Sequence, residues 1–435
     1  MVNTTIHVYV PKPKEANVIS ACMFVQRALQ PVVRGVSRRV PHLRSSFCTS
    51  SSRYSCRIMS IDGGGIRGII PGKILAKIEK DTNRPIARSF NWIGGTSTGG
   101  ILAIGLSLPG PRFSAKDILK FYTDQSFTQE IFKVFRSTIQ PADIAKQILS
   151  KNAPAVPLPA GGLVNALSES TRTTLKIKIP YFCVDGGAVL KFTVPKDRVK
   201  DISAYKIHSQ TESIREYVQP KFIADGIEKV LREQFLGVQL ASLVPTEVAV
   251  TTFNTSTMKH HVWSKLEAKK NPASNIMAWQ AARATSAAPC YFPGFNINGQ
   301  EHVDGGVCLN NPAWMLVAKA LQNGISLRDI FCVSLGTGQF TKPLAPTTHF
   351  GKIHWAPHIF DAASAGISSQ TDEYLATLFK EQGEYIRINP DLPEDIELDK
   401  TDPETIRKLK DVAKNAIEQN SSALARIAEV INASG

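Results

Sequence analysis

A chain of 435 residues with 43% apolar composition can bury a full core, and at roughly 100 to 200 residues per domain it should form one large domain or two. Its net charge of +14 is unevenly placed, since residues 1–57 hold nine Lys/Arg against one acid and leave the body only mildly basic. No long Lys/Arg run marks a nucleic-acid surface, and seven scattered cysteines lack CxxC or metal-ligand spacing, which excludes structural zinc and indicates a reducing compartment.

Taken in chain order, residues 1–55 read as a basic, Ser/Arg-rich arm, expected to be flexible because no acid follows Glu15 and no helical or strand period is sustained. A mitochondrial-type targeting peptide shares this composition, yet the first ten residues carry no Lys or Arg. Organelle targeting or export by the arm therefore stays open beside a plain disordered arm. From Cys56, CRIMSID is a short apolar run that stops at Gly63, Gly64 and Gly65. Ile66 to Lys80 then places Ile70, Ile74, Leu75 and Ile78 on one helical face. The same strand, glycine turn and helix recur at Phe90 to Leu108. The uncharged stretch Ser89 to Pro111 is long enough to suggest a spanning helix, but six glycines crowd it, so no transmembrane segment is predicted.

Two strand-turn-helix units predict an α/β fold with a mostly parallel sheet covered by helices. Residues 141–215 fit this pattern least and read as an insertion, with a hairpin in LKIKIPYFCVDGGAVLKFTV. Glu247 to Phe253, Glu301 to Asp304 and Ile330 to Leu335 are further strands of a domain spanning 56–340. Residues 341–435 form a helical extension packed on it. There Thr401-Asp402-Pro403-Glu404 signals a helix start, and Ile406, Leu409, Val412, Ala413, Ala416 and Ile417 form one stripe.

Chemistry concentrates at the two glycine turns. Gly95-Thr96-Ser97-Thr98-Gly99 fits G-x-S-x-G, where glycines flank a serine because a strand-to-helix turn this sharp would make side chains clash. The helix start also favours negative charge developing on the serine oxygen. Asp62-Gly63-Gly64-Gly65-Ile66-Arg67-Gly68 offers consecutive unhindered amides at another helix start, suited to an oxyanion. GGGIRG also satisfies a dinucleotide fingerprint, which expects an acid about 20 residues on at the end of a second strand. Glu79 and Asp81 instead fall in or just after the helix. A tight turn without chemical role is the plain alternative, and Asp62 is expected to brace the loop through backbone hydrogen bonds.

A serine needs a base, and a poorly solvated aspartate can serve because burial raises its pKa toward neutrality. Asp304, followed by Gly305 and Gly306, ends an apolar run and can project from a strand end. Asp185 stands in the look-alike CVDGGAVL, where a turn role suffices. A Ser-His-Asp triad is the rival, since His349, His354 and His358 follow Asp304 in the chain order of α/β-hydrolases. His302 would share a strand face with Asp304. Arg283 reads as structural, and Arg67 as a loop-orienting, phosphate-meeting or surface charge.

DGGGIRG, GTSTGG and DGG in this order, with ARATSAAPCYFPG, NNPA, SLGTG and DPETIRKLKDVAKNAI around them, resemble the patatin-like phospholipase family from about Cys56 to about Ile417. The resemblance implies a three-layer α/β/α sandwich and a Ser-Asp dyad. Ser97 would be the nucleophile and Asp304 its partner, with Gly63, Gly64, Gly65, Arg67 and Gly68 forming the oxyanion loop. Gly95, Thr96, Thr98 and Gly99 would build the elbow, and Gly305 and Gly306 the turn beyond the aspartate. Asn91 departs mildly, standing where the family often has Asp. The expected activity is phospholipase A or lysophospholipase cleavage through an acyl-enzyme, without metal or organic cofactor. The substrate is then a phospholipid or other acyl lipid met in the cytoplasm or at a peripheral membrane surface; nucleic acid is not expected, and protein partners are undefined. An acyltransferase, a neutral-lipid or small-ester hydrolase with the same dyad, and an idle membrane-binding module are the alternatives.

Overall fold

The computed structural model describes residues 53–110, 113–133, 220–340 and 359–433, together with short strands between residues 7 and 195. The chain divides into two compact units. The first, Met1–Phe47 with Arg136–Gln219, contains an antiparallel sheet in which Thr174–Tyr181 pairs with Ala188–Pro195 along the hairpin read from the sequence. Leu167–Ser170 lies on one side of that hairpin and His7–Tyr9 on the other. Asp185 lies outside the described residues.

The second unit, Cys48–Phe135 with Pro220–Gly435, is built on a central sheet. Its strands are β1 (Cys56–Ile61), β2 (Trp92–Thr96), β3 (Glu247–Asn254), β4 (Lys259–Ser264), β5 (Phe295–Ile297), β6 (Gln300–Asp304), β7 (Ile330–Leu335) and β8 (Glu384–Ile388). The order is β5-β6-β3-β2-β1-β7-β8, with β4 also paired to β3. From β3 to β8 every pairing is parallel, and β4, β5 and β6 add an antiparallel edge. The principal helices are α1 (Ile69–Thr82), α2 (Thr98–Leu106), α3 (Ala224–Phe235), α4 (Ala278–Thr285), α5 (Ala313–Gln322), α6 (Ile359–Leu378), α7 (Pro403–Gln419) and α8 (Ser421–Asn432).

Helices cover both faces, which is why the central strands are near-continuous apolar runs rather than alternating ones. Successive strand residues point to opposite faces. Met59, Ile61, Ile93, Val333 and Leu335 enter a core with α1, α2, α7 and α8, whereas Cys56, Ile58, Trp92 and Cys332 pack with α5 and α6. The fold is thus α/β with a mostly parallel central sheet between helices. The α7 stripe is buried at Ile406, Leu409, Val412, Ala413 and Ala416, and its N-cap is Asp402, whose carboxylate accepts from the Glu404 and Thr405 amides at 3.1 and 3.0 Å. Truncating Leu409, fully buried there, should cost about 2–5 kcal/mol.

Three strands escaped the sequence reading, the three-residue β5 among them. In β4, Lys259 and His260 are exposed and the interior side chains begin only further on, so no apolar run announces it. In β8, an edge strand, Ile388 is the one fully buried position. Among the described residues no helix is long and apolar enough to cross a membrane.

Candidate active site

Parallel strands deliver their C-terminal ends to one edge of the sheet, and ligand crevices of open α/β sheets form there. β1 ends in the glycine loop and β2 in the serine turn. Ser97 sits at φ +55°, a left-handed backbone that few non-glycine residues adopt. The turn is held from both sides: a side chain at Gly95 would run into the Gly99 backbone, and one at Gly99 into the carbonyl of Ile61. The Ser97 amide donates to Thr285 Oγ1 at 3.0 Å, and the Thr285 hydroxyl donates to the Thr251 carbonyl at 2.6 Å. Thr96 Oγ1 meets Thr251 Oγ1 at 2.7 Å and donates to the Leu309 carbonyl at 2.8 Å, while Thr98 Oγ1 donates to the Tyr122 hydroxyl at 2.7 Å. An elbow in a strained conformation persists because its surroundings over-determine it.

Asp304 ends β6 and is buried. Its Oδ1 accepts the Gly306 amide at 2.7 Å, and the Ser97 side chain is near enough to favour its ionised form. Burial lifts this carboxyl to about 7, against the pull of the Ser97 and Gly306 hydrogen bonds. Gly305 leaves no room for a side chain beside Thr251. Asp304 pairs with Thr252, the neighbour of the Thr251 that pairs with Thr96, so β3 holds the end of β6 and the end of β2 beside one another on one edge.

The glycine loop is braced piece by piece. The Gly63 amide donates to the Asn310 carbonyl at 3.2 Å, and the Gly63 carbonyl accepts Thr337 Oγ1 at 2.6 Å. The Ile66 amide donates to the Leu398 carbonyl at 2.7 Å and that of Arg67 to the Gly64 carbonyl at 3.0 Å. Gly65 takes φ +55°, and Gly68 packs against the Thr98 side chain. Of the loop positions expected to hold an oxyanion, Gly63 and Arg67 have their amides engaged. Those of Gly64 and Gly65 take part in no hydrogen bond found among the described residues. Asp62 spends its carboxylate on Arg387 of β8, in a two-point ion pair at 2.9 and 2.6 Å, rather than on loop amides.

Ser97, Asp304 and the glycine loop line a cleft of about 1300 Å³ whose walls include Ile101, Phe121, Phe132, Leu231 and Phe292. An apolar cleft with a few convergent polar groups suits a long acyl chain presented to a reactive centre. His302, two residues before Asp304, turns away from this chemistry. Its Nδ1 meets Thr252 Oγ1 at 3.0 Å, its ring packs on His261 and Trp263, and burial pushes its pKa down to about 4. His349, His354 and His358 lie outside the described residues. Arg283 is buried, donates to the Pro293 carbonyl at 2.9 Å and lies 3.4 Å from Glu228, as a structural residue would. Asn91 accepts the Arg57 amide at 2.9 Å on the side chain that departs from the family pattern.

The sequence profile described as "Patatin-like phospholipase" matches residues 59–317, more than half of the chain. The chain belongs to the patatin-like phospholipase family. Among relatives, Patatin-like protein 2 of Arabidopsis thaliana is 26% identical, over 85% of this chain and 84% of that one. A "Probable inactive patatin-3-Kuras 1" of Solanum tuberosum is 24% identical over 79% and 80%. The solved structure of VipD from Legionella pneumophila aligns at a TM-score of 0.35 and 13% identity, covering 90% of this chain and 72% of that chain. Patatin-like phospholipases are lipid acyl hydrolases in general. Within this member, Arg387 and Leu398 shape the site without any sequence motif to flag them, whereas Thr285, Asn310 and Thr337 lie in the ARATSAAPCYFPG, NNPA and SLGTG segments on which the resemblance in the sequence rests.

Proposed function

We propose that this patatin-like phospholipase cleaves fatty acyl esters of phospholipids or lysophospholipids, with Ser97 as nucleophile and Asp304 as general base. The observation that carries the proposal is the pairing of a strained, cleft-lining Ser97 with a buried carboxylate whose pKa lies near 7. A base works best when its pKa is close to the working pH. Asp304 takes the Ser97 proton as Oγ attacks the ester carbonyl, and the oxyanion turns to the amides of Gly64 and Gly65. The tetrahedral species collapses by breaking the ester C–O bond, and Asp304 returns the proton to the leaving alcohol. It then takes a proton from the water that splits the acyl-enzyme, giving a fatty acid and restoring Ser97. The dyad needs no metal, so EDTA should leave the rate unchanged. The basic N-terminal segment is assigned to an anionic membrane surface, where each nearby Lys or Arg adds about 1 kcal/mol.

The test is product analysis on mixed liposomes containing phospholipid, neutral lipid and an acceptor alcohol, with wild type beside Ser97→Ala and Asp304→Asn. Free fatty acid and lysophospholipid from wild type alone support the proposal, whereas acyl transfer to the alcohol makes the chain a transferase. Binding to liposomes with neither product nor fluorophosphonate labelling leaves only a lipid-binding module.

A further inference from the structure

The brace behind the glycine loop comes from a strand that lies beyond the family-matched span of residues 59–317. In the sheet register Ser60 of β1 stands opposite Ser334 of β7, and Ser334 opposite Arg387 of β8. Arg387 therefore reaches back over β7, donating to Ser334 Oγ at 2.8 Å on the way, and closes on both carboxylate oxygens of Asp62. The two side chains are 12% and 4% exposed. Asp62 is the residue at which β1 turns into the loop, and its own amide is tied to the Leu335 carbonyl at 2.9 Å. A planar two-point ion pair fixes direction as well as distance, which a single contact does not.

We infer that Arg387 is a positioning residue: by locking the Asp62 side chain in two-point register it sets the aim of the Gly64 and Gly65 amides, making β8 part of the oxyanion apparatus. The inference rests on the Ser97–Asp304 reading and goes beyond it by assigning a role outside the motifs. Displacing a catalytic group by about 1 Å costs on the order of 100-fold in rate. The loss should fall on the transition state, where negative charge sits on the oxygen, and leave substrate binding alone.

The experiment uses the full chain and measures kcat and KM on a p-nitrophenyl acyl ester, together with inhibition by a long-chain trifluoromethyl ketone, whose hydrate-like adduct carries the oxyanion. Rates are referred to sites titrated with a fluorophosphonate, so misfolded protein does not count. Wild type beside Ser97→Ala tests the underlying reading; an equal rate in both sinks that reading whatever Arg387 does. With that arm passed, Arg387→Met strands a buried carboxylate and is the variant most prone to misfold. The double variant Asp62→Asn/Arg387→Gln removes both charges and keeps an amide pair. We expect the double variant to lose about 100-fold in kcat, to keep KM within about threefold, and to lose ketone affinity in parallel. Arg387→Lys, which keeps the charge without the fork, should fall between. Wild-type kcat per titrated site in the double variant overturns the inference, as does a change confined to KM, or a loss of titratable sites in every variant.

Discussion

His302 and Asp304 stand two residues apart on β6, both almost fully buried, and burial drives their pKa values in opposite directions, to about 4 and about 7. Desolvation penalises the charged form in each case, so it favours neutral imidazole and neutral carboxyl alike. What separates them is their neighbours. His302 packs among Thr252, His261 and Trp263, and its Nε2 finds no partner among the described residues; Asp304 faces the Ser97 hydroxyl and the Gly306 amide, both of which favour the anion. Burial by itself makes a quiet residue; burial beside a serine hydroxyl is what the proposed general base rests on.

The comparison breaks most visibly if the two residues are exchanged in importance. Replacing Ser97 by Ala or Asp304 by Asn should lower kcat/KM by about 10⁴-fold or more, with the double variant little worse than either, since groups acting as a unit are grossly non-additive. His302→Gln should leave kcat/KM within about threefold of wild type, on the reading that it touches no reacting atom. The same measurement on His349→Gln, His354→Gln and His358→Gln extends the test to the triad alternative. If any of these costs as much as Ser97→Ala, the aspartate is not acting as the lone base.

The pH dependence sharpens the contrast, and it runs in opposite senses for the two residues. Only ionised Asp304 can accept the Ser97 proton, so kcat/KM should rise with pH through about 7 and level off above it. For stability, the folded state holds a proton on Asp304 between pH 3.8 and about 7 that the unfolded chain has released. Stability from this group therefore falls as pH rises across that window. The shift corresponds to on the order of 4 kcal/mol. Asp304→Asn, which retains an oxygen for the Gly306 amide, should then be inactive yet more stable than wild type above pH 7, as followed by thermal unfolding. His302 acts the other way: its folded pKa lies below its unfolded value of 6.5, so its contribution is present above 6.5 and lost as pH falls toward 4. A variant Asp304→Asn that is less stable than wild type at pH 8 would remove desolvation as the source of the raised pKa.

How much of this was readable beforehand follows from which forces act locally. The glycine loop and the elbow are legible because their backbone geometry demands glycine at Gly65, Gly95 and Gly99, and the parallel core because strands buried on both faces are continuously apolar. Asp304 was legible as a strand-end aspartate before two glycines. Its partner contacts are not, because β6 and β2 meet only by pairing in succession along one edge of β3, an arrangement that no local period encodes. Arg387 illustrates the same limit: an arginine in an edge strand of mixed polarity carries no mark that it will span β7 to meet Asp62. The sequence points Asp62 at backbone amides of the loop; in the structure the long-range ion pair with Arg387 takes that place, because a buried carboxylate is better satisfied by a guanidinium fork.

A loss smaller than that from either Ser97 or Asp304 is expected at the elbow, and it asks whether a strained serine needs outside support. Thr285 accepts the Ser97 amide and passes a hydrogen bond on to Thr251. Thr285→Val keeps the shape and removes both, leaving a buried donor and a buried acceptor unpaired at a cost of about 1–3 kcal/mol each. With the Ser97 amide no longer tied down, its hydroxyl should drift from Asp304, and kcat should drop by about tenfold with KM little changed. Thr285→Ser, which restores the hydroxyl without the methyl, should recover most of both losses. A Thr285→Val variant as stable and as fast as wild type would mean that the Gly95 and Gly99 packing alone holds the elbow.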